Sequence, residues 1–176
     1  MAVSLVPGRR LASDPGREVV LGRVAEVAHE FHELDGRRIR VDIYDGRTRA
    51  VGVAFPEEAP PKIAFHRRIL RSRELPGVIA HELTHLIQRP RGPCANGERA
   101  CDLFALARCG SRFPSPPSYL TVPRGTREEW PFWAPLATVL AREALRERDR
   151  GRRRYVRWWE ESFGRAVART RVGTTS

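Results

Sequence analysis

Lysine, cysteine and long apolar runs are all scarce in this chain, and each shortage excludes something. Lys62 is the only lysine among 32 basic residues, so the formal net charge of +11 is arginine charge. A balance of that kind attracts nucleic acid, anionic membranes or acidic proteins. The three cysteines, Cys94, Cys101 and Cys109, are odd in number, which argues against a disulfide framework. No apolar run reaches the length of a bilayer crossing, so no membrane-spanning helix is expected. Residues 1–10 are broken by Pro7 and Gly8 and lack the apolar core of a signal peptide, so a cytoplasmic location is expected. The five histidines are 29, 32, 66, 81 and 85, and none follows His85. Internal repeats are absent as well.

What remains is enough for one domain with a real core: 176 residues, 41% of them hydrophobic. Ser13-Asp14-Pro15 is a helix-start signal, with an N-cap side chain and a proline suited to the first turn. Val20, Val24, Val27, Phe31 and Leu34 then share one helical face, ending near Asp35-Gly36. The period changes at Ile39, Val41 and Ile43, which alternate as on a half-buried strand. Asp45-Gly46 signals a tight turn, and Val51, Val53 and Phe55 form a second strand pattern. Lys62 to His66 is a third.

Ser72 to Pro76 opens a helix that Pro90 closes, and Asn96-Gly97 opens another reaching about Arg108. A proline-rich connection follows, then helices near 128–148 and 152–169. The expected fold class is α+β with a small three-stranded sheet. Three segments are expected: a core over 13–110, a connection over 111–126, and a basic helical extension packed on that core over 127–172.

The chemistry lies between His81 and Asp102. His81 and His85 are one turn apart on one helix face, with Glu82 beside them, while Ile79, Leu83, Leu86 and Ile87 face the other way. Two imidazoles at that spacing suit a zinc ion, and a neighbouring carboxylate suits removal of a proton from its water. A catalytic zinc needs a third protein ligand. With no later histidine, the metzincin pattern and that of the Spartan and SprT-like proteases do not fit. Glu98 and Asp102 share a helix face; Glu98 can bind zinc while Asp102 hydrogen-bonds the far nitrogen of a ligand histidine. Cysteine ligation through Cys94 or Cys101, in a His2Cys or structural site, stays open.

His-Glu-Leu-Thr-His followed by Glu98-Arg-Ala-Cys-Asp102 resembles the gluzincin signature of the thermolysin-like peptidases. The resemblance covers about residues 39–108 and includes the helix, three strands, helix, helix order of the minigluzincins. It implies a zincin-like core and one zinc per chain bound by His81, His85 and Glu98. It also implies Glu82 as general base and Asp102 orienting His81. Two features depart from the family: the gap from His85 to Glu98 is short, and the downstream catalytic histidine is absent. Tyr119, on the proline-rich loop, is the candidate for stabilising the oxyanion, with His66 second. In zincin-like folds the edge strand beside the metal pairs with extended peptide, and here that strand is expected at 62–69, with Lys62, Ala64 and His66 as substrate-binding residues.

From Arg142 to Arg171 eleven arginines face five acids, with Trp158 and Trp159 among them. Such a segment either grips a phosphate backbone or forms a solvated surface whose tryptophans dock on the core. Two functions therefore stand side by side. One is a zinc metallopeptidase acting on peptide or unfolded protein. The other is a nucleic-acid-associated or peptide-sensing protein with a regulatory or structural metal.

Overall fold

The computed structural model describes residues 3–88 and 97–173, so Pro90, Arg91, Cys94 and Asn96 lie outside the described residues. Mixed α/β architecture is observed: one four-stranded sheet and six α-helices among the described residues. The chain divides into two compact units, Met1–Ala95 and Asn96–Ser176. The helix expected to close the first segment at 110 is therefore grouped with the C-terminal helices.

In the first unit the order is β1 (Ser4–Pro7), α1 (Arg9–Ala12), α2 (Arg17–Ala28), β2 (Arg38–Tyr44), β3 (Gly52–Phe55), β4 (Lys62–His66) and α3 (Leu75–Ile87). The sheet runs β1-β2-β4-β3. The first three strands in that order are parallel neighbours, and β3 pairs antiparallel to β4. Three strands were expected; β1 is the fourth. Its Pro7 is tolerated because β1 is an edge strand and Pro7 its last residue. Asp42 ties the following turn down, its Oδ1 accepting the backbone N–H groups of Arg10 (3.2 Å) and Leu11 (3.0 Å).

The tight turn expected at Asp45-Gly46 does not join neighbouring strands. β4 lies between β2 and β3, so the chain crosses to the sheet edge and returns to its centre. Side chains hold that crossing: the Tyr44 hydroxyl donates to the Ala50 carbonyl (3.0 Å), and His66 Nε2 donates to the Gly46 carbonyl (2.9 Å). Alternation holds in β2; β4 buries three residues in a row, and the expected set Val51, Val53 and Phe55 is half-buried to exposed. Ile39, Val41 and Ile43 are buried, as are Ile63 and Phe65 from β4. They form a core with Val24 and Val27 of α2 and Leu75, Ile79 and Leu83 of α3. Each such side chain stabilises the fold by about 1.5–3 kcal/mol relative to exposure.

Helix α2 is shorter than its apolar pattern suggested. It begins at Arg17, after Asp14 Oδ1 accepts the Gly16 N–H at 2.8 Å, and it ends at Ala28. Phe31 and Leu34 are fully buried all the same, reaching the core from a turn and the 3-10 helix His32–Leu34. The apolar spacing reported burial rather than continuous helix.

The second unit holds α4 (Glu98–Cys109), α5 (Trp130–Asp149) and α6 (Tyr155–Gly173), with α5 packed on both others. Trp130, Trp133, Trp159 and Phe163 form its aromatic centre, with Trp159 and Phe163 stacked at 5.3 Å. The buried indoles are satisfied: Trp159 donates to the Ala137 carbonyl and Trp130 to that of Phe113, both at 3.0 Å. Gly110 lets the end of α4 approach α5, since a Cβ there would sit 1.8 Å from Thr138 Oγ1. No helix among the described residues is long and apolar enough to cross a membrane.

Candidate functional site

Helix α3 presents the histidines, and its start explains why it is rigid there. Ser72 Oγ accepts the Glu74 N–H at 3.1 Å, and Pro76 occupies the first turn, where its missing N–H costs nothing. Ile79, Leu83, Leu86 and Ile87 are buried as their spacing predicts. The face carrying His81 and His85 is thereby fixed. Their rings stand at 75° with centroids 4.8 Å apart, and the two Nε2 atoms face each other at 3.0 Å.

Gln88 was not foreseen. Its amide oxygen accepts a hydrogen bond from His85 Nδ1 at 2.6 Å. That bond places a proton on His85 Nδ1, so His85 Nε2 accepts in its contact with His81 Nε2.

Glu82 points away from solvent and is 5% exposed. Its carboxylate lies over Gly52 of β3: a Cβ built there would meet Glu82 Oε1 at 2.5 Å and Cγ at 2.8 Å. The negative charge also reaches Tyr44, whose hydroxyl is pushed above the usual tyrosine range by burial first and by Glu82 second. Among the described residues, His81, His85 and Cys101 form one group that could hold a metal ion, with one ligand atom from each within 4.8 Å of the others. Cys101 is buried and in no disulfide.

The remaining expected site residues fall as follows. Glu98 is exposed in the first turn of α4, and Asp102, 2% exposed, accepts the Tyr119 backbone N–H at 2.7 Å through Oδ2. Tyr119 is 51% exposed. Both ring nitrogens of His66 are engaged by backbone, Nε2 by Gly46 and Nδ1 by the Arg68 N–H at 3.1 Å, which suits a capping role. His29 caps the end of α2 and His32 is exposed beside Glu33.

One expectation is corrected. Lys62, Ala64 and His66 were assigned to an edge strand that pairs with peptide, but β4 is paired on both sides. The edge on that side is β3, because the chain fills the central position only on its return. Backbone pairing with an added strand is closed to β4 for that reason.

No family model, curated protein or solved structure matches the chain.

Proposed function

We propose that this protein is a zinc-dependent peptidase with a zincin-like core over residues 13–110, acting on extended segments of peptide or unfolded protein. The observation that carries this reading is the pair of Nε2 atoms at 3.0 Å, the His85 ring held through Nδ1 by Gln88, with the buried Glu82 next to His81 in the chain. A zinc ion bound there would lower the pKa of a coordinated water to about 7. Glu82 accepts a proton as water attacks the peptide carbonyl. His81 and His85 supply two ligands. The third is Glu98 on the spacing argument, or Cys101 from the observed donor group. Tyr119 remains the candidate donor to the developing oxyanion.

Strand β3 supplies a place for substrate. Val51 accepts the His66 N–H at 2.9 Å, and Gly52 is opposite Phe65, so in this antiparallel ladder the backbone groups of Gly52 and Ala54 turn to the open edge. An extended peptide added there would run beside Glu82.

The purified protein should contain about one zinc per chain and cleave unfolded protein until a chelator is added. Glu82→Gln should keep the metal and lose cleavage by at least about a hundredfold, since it removes the base and no ligand. Undiminished cleavage in that variant would sink the mechanism. The thiol in the donor group favours a second reading, a closed structural or regulatory site in a peptide-sensing or nucleic-acid-associated protein. On that reading chelation unfolds the protein and Glu82→Gln has no consequence.

A further inference from the structure

We infer that Gly52 is a positioning residue that sets where the Glu82 carboxylate lies; the catalytic part of this inference rests on the peptidase reading above. Gly52 is a strand residue of ordinary backbone, outside the set of glycines with positive φ, so conformational freedom does not explain it. Space does. A Cβ at this position would meet three atoms of α3 within 3 Å: Glu82 Oε1, Glu82 Cγ and Val78 Cγ1. Ala54, two residues on and turned to the same face, carries a Cβ there. The glycine is thus specific to the point where Glu82 crosses the strand. Glu82 is buried, so its side chain cannot swing clear into water.

The consequence joins two parts of the proposed site. The residue whose backbone turns to the open edge of β3 is also the residue whose missing side chain admits the base. A methyl group at 52 pushes the carboxylate away while leaving both histidines and the bond from His85 to Gln88 untouched. Misplacement of a reacting group by about 1 Å costs roughly a hundredfold in rate.

The test is a double-mutant cycle on the full chain with Gly52→Ala, Glu82→Ala and both together. Gly52→Ala should lower the Tm by several degrees, and Glu82→Ala in the same chain should recover part of that loss, because trimming the acid removes two of the three close contacts and leaves that with Val78. If Gly52→Ala fails to fold, the double variant should fold. Equal losses in the two backgrounds would overturn the inference. In the metal-loaded protein Gly52→Ala should retain zinc and lose about a hundredfold in kcat, with KM changed by no more than about threefold. Unchanged kcat would overturn the positioning role even where the stability coupling is found. A wild-type chain that cleaves nothing would sink the peptidase reading, and the stability cycle would still decide the Gly52–Glu82 relation by itself.

Discussion

Glu98 and Cys101 are three residues apart on α4, and they carry different chemistry to a metal. In the proposed site Glu98 would complete a His2Glu set, and Cys101 a His2Cys set. Were Cys101 the third ligand, its sulfur would be bound to the metal. Cys101→Ser should then lower zinc affinity by at least about tenfold, and X-ray absorption should place sulfur near 2.3 Å from the metal. Zinc retained in Cys101→Ser and lost in Glu98→Ala would return the site to the ligands that spacing suggested. Spacing brought out His81, Glu82 and His85 because a helix fixes the relation of residues one turn apart. Gln88 was hidden, since an amide three residues past a histidine carries no signal until its rotamer is known. Gly52 had a weak signal: a glycine inside a strand often marks close approach of another group.

Individual elements were legible where their periodicity is strong. Helix α3 and strands β2 and β4 lie within a few residues of where alternation and apolar spacing placed them. The start of α2 shows what periodicity leaves out. Asp14 there accepts the Gly16 N–H and also pairs with Arg67, just past β4, which in turn reaches Asp45 at 3.2 Å. The Gly16 bond, then Arg67, holds the Asp14 carboxyl below its ordinary range. A depressed folded-state pKa stabilises the fold above the unfolded value, about 3.9, and that contribution is lost as pH falls through the folded value. Thermal stability should therefore fall on acidification below about pH 4. Asp14→Asn should lower the Tm at neutral pH and make the acid decline shallower. An acid limb identical to wild type would show that this carboxyl does not contribute.

Across the molecule, the excess of arginine is only partly answered by acids. All five acids between 142 and 171 are in ion pairs: Glu143, Glu147 and Asp149 with arginines of α5 and the turn after it, Glu160 with Arg99, and Glu161 with Arg157. Arg153 and Arg154 are exposed and have no acidic partner among the described residues. Trp159 is buried, whereas Trp158 is partly open with Arg152 above its ring at 6.0 Å. Replacing Arg153 and Arg154 with alanine should leave stability within about 0.5 kcal/mol, as for other exposed sites. Any nucleic-acid affinity residing here should then lose about two units from the slope of log K against log salt. An unchanged slope would remove this segment as a nucleic-acid contact.

By itself the sequence determined that two imidazoles and a carboxylate share one helix, since residue type and helical pitch together place them on nearby positions of α3. It also determined the location of most helices and strands, because burial on one face leaves a period in the chain. The tertiary structure decided everything that depends on partners distant in sequence. It placed β4 at the centre of the sheet and β3 at its edge, because strand order follows from which backbone groups pair, and alternation is blind to pairing. It seated Glu82 over Gly52, thirty positions away. Those choices rest on packing in three dimensions, where the distance along the chain no longer counts.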